Sequence, residues 1–164
     1  MATEIVSADY LRGILAYNAD TGVFTRLISA SSNAKAGDVA GSKNSEGYLV
    51  IRVLGRLHKA HRLAWVHANG TWPVGQIDHI DGIRDNNALA NLRDVSHSVN
   101  AQNVRRATSN STHGFMGATR SGKRWTAQIR VDGKSCHIGS YDTAEEASAA
   151  YVKAKRLMHP GSVI

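Results

Sequence analysis

The residues best suited to chemistry lie in the segment QIDHIDG, residues 76–82, where Asp78 and His79 stand side by side between two isoleucines. The isoleucines favour burial, and a buried carboxylate or imidazolium loses hydration free energy unless a partner compensates it. An imidazole exchanges a proton near neutral pH, and a carboxylate oxygen suits a hard cation. The pair therefore points to a bound cation, a proton transfer or both.

Two asparagines extend this constellation, since Asn91 follows Asp78 by thirteen positions and Asn100 follows Asn91 by nine. Taken alone, each residue has an ordinary structural interpretation. An Asp or Asn in a turn usually caps a backbone amide, and a His beside Ile is usually hydrogen-bonded structure. Their order through one loop and into the next predicted helix favours a shared site.

Cysteine usage narrows the ligand chemistry. Cys136 is the sole cysteine, so the chain forms no internal disulfide and no cysteine-based zinc site, and no structural zinc is expected. Nitrogen and oxygen ligands remain, and they favour a hard divalent ion, with magnesium first and manganese as the alternative.

Elements on both sides must position the Asp-His pair. The segment GYLVIRVLGRLHKAHRLAWVHANG, residues 47–70, predicts two strands around a turn at Gly55-Arg56 and then a helix from about His61 to Asn69. After the pair, the sequence predicts a loop and a helix from about Ser96. These elements predict a mixed α+β fold for the region.

The N-terminal segment, residues 1–47, predicts a short helix capped by Ser7, a turn at 18–22, a strand over 23–27 and a loop rich in Gly, Ser and Asn. The leading residues lack the basic start and apolar core of a signal peptide, and the apolar runs are too short to cross a bilayer. A cytoplasmic location and no membrane partner are therefore expected.

The C-terminal part has a different pattern. Three short alternating segments are separated by Ser121-Gly122 and Asp132-Gly133, and a helix follows in which Thr143 and Glu146 form a capping box. The sequence predicts a three-stranded antiparallel sheet packed on one helix. A polar stretch, residues 105–114, reads as the linker that precedes it.

The charge balance favours a polyanionic partner. The chain of 164 residues has a formal charge of +7 and a sequence pI near 9.9. Acidic residues outnumber basic ones in residues 1–47, whereas basic residues dominate in 48–107 and 108–164. The charge alone leaves nucleic acid and membrane surfaces both open.

The segment HRLAWVHANGTWPVGQIDHIDGIRDNNALANLRDVSHSVNAQN resembles the HNH endonucleases, in particular the phage and intron-associated homing branch with the ββα-metal fold. Several motifs occur in fixed order: the HRLAW-like helix, the Pro turn, Ile-Asp-His, the NLR loop and a helix with Asn near its start. The resemblance implies a nuclease domain over residues 48–107, with residues 1–47 as an extension that packs on it.

The resemblance also implies residue roles. Asp78 and Asn100 would ligate one divalent ion, and His79 would take a proton from the attacking water. Asn91 would tie the loop and keep His79 oriented. Asp81, Asp85 and Asn87 are assigned to turn chemistry, and His61 to structural support.

Basic residues cluster on the predicted hairpin and helix. The DNA-contacting residues there would be Arg52, Arg56, Lys59 and Arg62, and a solubilising face is the alternative.

Residues 114–158 resemble an AP2 domain, a three-stranded DNA-reading module, through the strand W-x-A-x-I-R, the segment IGSY and the helix TAEEA. The predicted domains are thus 48–107, a linker over 108–113, and 114–164. Strand alternation puts alternate residues of RWTAQIRV on an exposed face. With the resemblance, it predicts DNA contacts from Thr119, Arg124, Gln128, Arg130 and His137.

Together these features predict a metal-dependent DNA endonuclease acting on double-stranded DNA. They leave a nick or a double-strand cut, and a monomer or a homodimer, equally open. The alternative is a non-catalytic, sequence-specific DNA-binding regulator on an HNH scaffold. RNA ranks below DNA as a substrate because the predicted binding face lacks aromatic stacking platforms.

Overall fold

A computed structural model describes residues 6–103, 113–159 and 161–162, and the chain forms two compact units, Met1–Ser96 and His97–Ile164. The first unit contains α1 (Ala8–Ile14), β1 (Leu15–Tyr17), β2 (Phe24–Arg26), β3 (Ser42–Lys43), β4 (Leu49–Val53), β5 (Arg56–Lys59), α2 (Ala60–Asn69), β6 (Gln76–His79), a 3-10 turn (Leu89–Asn91) and β7 (Leu92–Val95). The second contains α3 (His97–Gln102), β8 (Ala118–Ser121), β9 (Arg124–Val131), β10 (Lys134–Tyr141) and α4 (Ala144–Met158). Within the described ranges, no helix has the length and apolar character to cross a membrane.

The N-terminal helix begins as predicted, because the hydroxyl of Ser7 accepts a hydrogen bond from the Tyr10 amide at 3.2 Å. It ends at Ile14, and the chain continues directly into β1, which pairs antiparallel with β2. Helical spacing had assigned Leu15 to the helix, so β1 is an addition to the prediction. Leu15 is buried as the first residue of β1. An apolar residue at this spacing would also be buried in a helix, so the spacing does not distinguish helix from strand.

The predicted hairpin and helix of the first unit are confirmed. β4 and β5 pair antiparallel around Leu54 and Gly55, and α2 follows at once. The helix ends at Gly70 in the left-handed conformation, where its amide donates to the Val66 carbonyl. β4 and α2 thereby present their apolar sides to one core.

The strand β6 pairs antiparallel with β7, which the sequence analysis had predicted as loop. β7 covers only the residues Leu-Arg-Asp-Val, a length at which alternation is a weak signal. In this register Asp78 lies opposite Arg93, and His79 lies opposite Leu92. The second strand of this ribbon therefore supplies the residues that face the Asp-His pair.

One hydrophobic core cluster unites the first unit. The N-terminal segment contributes Leu11, Leu15 and Phe24, and these residues pack in the same cluster as Leu63 of α2 and Ile77 of β6. Each of these side chains is at most 7% exposed. Because the residue beside Asp78 is part of this core, the position of the Asp-His pair depends on its packing.

The second unit confirms the predicted three-stranded antiparallel sheet packed on one helix, with strand order β10-β9-β8. In β9, Ala127 and Ile129 are buried, whereas Gln128 and Arg130 are exposed. The capping box of α4 is also present. A mixed α+β fold is thus confirmed, and the AP2 assignment stays a prediction.

The predicted domain boundaries also stay a prediction. Residues 108–112 of the proposed linker lie outside the described residues. The compact units divide at Ser96 and His97, so α3, placed by the sequence in the nuclease domain, is grouped here with the C-terminal sheet.

Gly117→Ala is expected to lower the free energy of unfolding of the second unit by about 2–4 kcal/mol. Gly117 has a left-handed φ of +66°, and a Cβ atom there would lie 2.0 Å from the ring of Tyr151. Gly122→Ala is the matched control, because its φ is +61° and nothing lies within 4 Å of its Cβ position. Gly122→Ala should lower the free energy of unfolding by about 1 kcal/mol, as measured by calorimetry or by unfolding in urea. Equal losses for the two variants would contradict the packing argument.

Candidate active site

Asp78 and His79 are the last two residues of β6, and both are buried, at 6% and 5% exposure. The carboxylate of Asp78 faces Arg93 on the paired strand. The Nε and Nη2 atoms of Arg93 donate to Oδ2 of Asp78 at 2.8 and 2.7 Å. This ion pair compensates the charge of a carboxylate that the core would otherwise disfavour.

One hydrogen-bond partner of His79 is a side-chain amide. Its Nε2 atom lies 3.2 Å from Oδ1 of Asn87, a residue that is 1% exposed. Because Oδ1 only accepts, this contact requires a proton on Nε2. Burial lowers the pKa of His79, and the hydrogen bond that its ring donates to Asn87 and the nearby carboxylate of Asp81 oppose that effect.

Two aromatic rings pack against the imidazole. The ring of His61 meets that of His79 edge to face, with the centroids 4.9 Å apart, and Tyr48 lies 5.3 and 6.0 Å from His61 and His79. Burial, with smaller effects from His79 and nearby cations, lowers the pKa of His61 to about 3. His61 is therefore a neutral packing partner near pH 7, which fits the structural role predicted for it.

Asn91 ties together the loop that follows β6. Its Oδ1 accepts from the Asp81 amide at 2.9 Å, and its Nδ2 donates to Oδ1 of Asp81 at 2.9 Å and to the Asn86 carbonyl at 2.8 Å. The contact with the His79 ring comes from Asn87, which the sequence analysis had assigned to turn chemistry. The orienting role of Asn91 toward His79 stays a prediction.

The metal assignment rests on oxygen donors. Asp78 offers a buried carboxylate, and Asn100 is a half-buried residue of α3 in the second unit. Among residues 6–103, 113–159 and 161–162, no group of three or more His, Cys, Asp or Glu side chains could hold a metal ion. The pairing of Asp78 with Asn100 on one ion therefore stays a prediction.

The predicted basic residues of the first unit lie on β4, β5 and α2. Arg52 and Arg56 are exposed, whereas Lys59 and Arg62 are half-buried. The Nζ atom of Lys59 lies 4.0 Å from the ring centroid of Tyr48, the same ring that packs on His79. The rings of Tyr48 and His61 form an aromatic wall beside the imidazole. The contact of Lys59 with Tyr48 places one of the predicted DNA-binding cations at this wall.

A further cation at this wall was missed by the sequence analysis. The guanidinium of Arg84 lies over the Tyr48 ring at 5.2 Å and donates to the Glu46 carbonyl. Arg84 is exposed and lies in the loop between β6 and β7, five residues after His79. It adds positive charge at the ring of Tyr48, which also packs on the imidazole.

The predicted contact residues of the second unit lie on its sheet, and all five are exposed: Thr119, Arg124, Gln128, Arg130 and His137. Gln128 is the cross-strand partner of His137, so these two side chains share a face. Ser135, opposite Arg130, donates its hydroxyl to Oε1 of Gln128 at 3.1 Å. The face is polar and basic, and it lies opposite the helix-packed side.

Comparisons with known proteins show what this chain is similar to. A family model described as HNH endonuclease matches residues 58–102. Protein 3.8 of Escherichia phage T7 is 36% identical over 104 residues, which cover 62% of this chain and 84% of that protein. A solved structure, described as DNA binding and cleavage by the HNH homing endonuclease I-HmuI, aligns at 21% identity with a TM-score of 0.43, covering 91% of this chain and 89% of that one.

The burial of His61 predicts that the first unit loses about 1–2 kcal/mol of stability between pH 7 and pH 5. Unfolded histidine binds a proton below about pH 6.5, whereas folded His61, with a pKa of about 3, stays neutral until far lower pH. The contribution is therefore intact above pH 6.5 and is lost as pH falls.

Urea unfolding at the two pH values, followed by tryptophan fluorescence, measures this loss. His61→Gln should reduce it, with the remainder coming from the other first-unit histidines whose pKa burial lowers, and His137→Gln, an exposed position on the other unit, should leave it in place. An unchanged pH dependence in His61→Gln would show that another group is responsible.

Proposed function

The chain belongs to the HNH endonuclease family, and from that premise we propose that it is a metal-dependent endonuclease that hydrolyses phosphodiester bonds of double-stranded DNA. The observation that carries the proposal is the held Asp-His pair at the end of β6. Asp78 is compensated by Arg93 and His79 by Asn87, so the two side chains differ in charge although they are neighbours. One is a cation ligand and the other a proton acceptor.

His79 is proposed as the general base. Its hydrogen bond to Oδ1 of Asn87 requires the proton on Nε2, which leaves Nδ1 as the basic nitrogen. The aromatic wall of His61 and Tyr48 fixes the plane of the ring. A neutral, oriented imidazole can take the proton of a water molecule that attacks a phosphate.

Asp78 and Asn100 are proposed to hold a divalent ion, with magnesium favoured and manganese as the alternative. Their carboxylate and amide oxygens are hard donors, which suit these ions. When bound, the ion would stabilise negative charge on the phosphate and the departing 3′ oxygen. Arg93 keeps the Asp78 carboxylate in place, and the expected products carry a 5′ phosphate and a 3′ hydroxyl.

DNA binding is proposed for both units. On the first, Arg52, Arg56, Lys59 and Arg62 would contact backbone phosphates. On the second, an AP2-like sheet would place its exposed face, with Arg130 and Gln128, against base edges in the major groove, where Arg suits guanine and Gln suits adenine. The exposure and shared face of these side chains support this assignment.

A non-catalytic DNA-binding regulator is the second candidate. The observation that favours it is the short ion pair between Arg93 and Asp78, because a carboxylate satisfied by a guanidinium needs no metal. The presence of Asp78, His79 and Asn100 together favours the enzyme. Activity on DNA separates the two functions.

The purified protein is expected to convert supercoiled plasmid to nicked or linear DNA when magnesium or manganese is present and not when the metal is chelated. His79→Ala should abolish cleavage and leave DNA affinity nearly unchanged, because it removes the proton acceptor and no charge. His58→Gln is the control on β5, half-buried beside Trp72 and outside the proposed site. No cleavage by the parent protein on any duplex and ion would favour the regulator, and full activity of His79→Ala would exclude His79 as the base.

Arg130→Ala is expected to reduce the preference for the cognate site over other DNA by about 1–3 kcal/mol. Arg120→Ala is the matched control on the same sheet. Arg120 pairs with Trp125 and so lies on the opposite face, away from the proposed DNA contact, and its loss should leave the site preference unchanged. The readout is competition binding with selected and scrambled duplexes. If both variants discriminate as well as the parent, Arg130 makes no base contact.

A further inference from the structure

The N-terminal turn between β1 and β2 packs directly on the backbone of the loop that holds His79. The hydroxyl of Tyr17 donates to the Asn87 carbonyl at 2.7 Å. Two residues along, the Leu89 amide donates to the Ala19 carbonyl at 2.8 Å. Two hydrogen bonds thus tie the Asn87–Leu89 segment to a part of the chain about seventy residues away.

Gly22 makes this approach possible. Its φ is +74°, and a Cβ atom at this position would lie 2.3 Å from the carbonyl carbon of Asn87. No side chain other than hydrogen fits between the two backbones, so the turn and the loop are in direct van der Waals contact. The backbone of Asn87 is held on one side by this glycine and at its carbonyl by Tyr17.

The side chain of Asn87 points from this fixed backbone to the imidazole. It is 1% exposed, and its Oδ1 lies 3.2 Å from Nε2 of His79. Its Nδ2 atom has no hydrogen-bond partner among the described residues. The contact to the imidazole is therefore the side-chain hydrogen bond that the structure gives this amide.

We propose that the turn from Tyr17 to Gly22 is a positioning element for the imidazole of His79 and acts through Asn87. The inference rests on the proposed function, since it concerns the orientation of the proposed general base. By fixing Oδ1, the turn keeps the proton on Nε2, so that Nδ1 is the nitrogen that would act as the base. The turn lies outside residues 58–102, which match the family model.

Burial keeps this contact constant with pH. The pKa of Tyr17 is raised to about 12 by burial, so the hydroxyl remains a donor throughout the neutral range. Tyr17 also packs on Phe24 of the core, with ring centroids 4.7 Å apart. Packing on Phe24 therefore fixes the ring of Tyr17, from which the hydroxyl donates to the Asn87 carbonyl.

The first test determines which nitrogen of His79 carries the proton in the unmodified protein. Long-range nitrogen–proton NMR of the full chain near pH 8, with His79 assigned through His79→Gln, distinguishes the two neutral tautomers. The proposal expects the proton on Nε2, with a slowly exchanging resonance. A proton on Nδ1 would overturn it, because Asn87 would then have to present Nδ2 to the ring. The measurement needs no DNA, so it stands even if the protein proves not to be a nuclease.

The second test separates positioning from stability. Tyr17→Phe removes only the hydroxyl, and Tyr10→Phe removes that of an exposed tyrosine on α1 as a control. Tyr17→Phe is expected to shift the ring nitrogen resonances of His79 and to slow single-turnover cleavage about 2- to 10-fold, the effect of one lost hydrogen bond. DNA affinity should not change. A folded Tyr17→Phe with parental resonances and parental cleavage rate would overturn the proposal.

Variants of Asn87 give a third readout. Asn87→Leu removes the accepting oxygen and should lose the protected Nε2 proton and reduce the cleavage rate about 10- to 100-fold. Asn87→Asp keeps an accepting oxygen and should retain the protected Nε2 proton, with the ring shifted toward its protonated form by the added carboxylate. If Asn87→Leu retains the parental resonance while folded, the contact does not orient the ring. Absence of cleavage by the parent protein would instead refute the nuclease function and leave the NMR result to decide the positioning.

Discussion

The first unit depends on one constraint, which is that two titratable side chains are buried next to each other at the end of a strand. Asp78 and His79 are each at most 6% exposed, so each needs a partner that replaces water. Arg93 supplies a charge and Asn87 supplies an amide. The short strand β7 brings the first partner opposite Asp78, and the loop after β6 carries the second. The local architecture therefore follows from the need to compensate two adjacent polar groups.

The same constraint explains where positive charge gathers. The rings of His61 and Tyr48 pack against the imidazole, and burial keeps His61 neutral near pH 7 by lowering its pKa to about 3. The cations Lys59 and Arg84 both lie over the ring of Tyr48. Positive charge therefore gathers at a ring that also contacts the imidazole, an arrangement that suits the polyanionic partner proposed for this unit.

Local patterns in the sequence predicted the elements with strong periodicity and caps. The helix α2, the capping box at Thr143 and the alternation in β9 depend on neighbours within a few residues, and the structure confirms them. The Asp-His pair stood out for the same reason, since both residues and their isoleucine flanks are contiguous. The short strands β1 and β7 were missed because three or four residues carry too little pattern.

The partners of the site residues could not be read from such patterns. Arg93 is fifteen residues from Asp78, and its role depends on the register of a strand that the sequence did not reveal. Tyr17 is seventy residues from Asn87. Nothing in the sequence around a tyrosine that precedes a turn indicates that its hydroxyl will donate to a carbonyl so far along the chain. Asn87 and Asn91 are both asparagines of one loop, and spacing cannot tell which of them reaches the imidazole. Contacts between distant segments are set by packing, so they appear only with the coordinates.

The different partners of the two buried groups explain how neighbouring residues can serve different chemistry. The imidazole of His79 has an amide as a close hydrogen-bond partner, and burial, which disfavours the charged form, lowers its pKa although nearby carboxylates oppose that effect. A carboxylate in the place of that amide would favour the protonated ring, which cannot accept a proton from water. The carboxylate of Asp78 instead faces a guanidinium, which compensates its buried charge. Exchanging the two partners would therefore weaken both proposed roles, that of His79 as a base and that of Asp78 as a cation ligand.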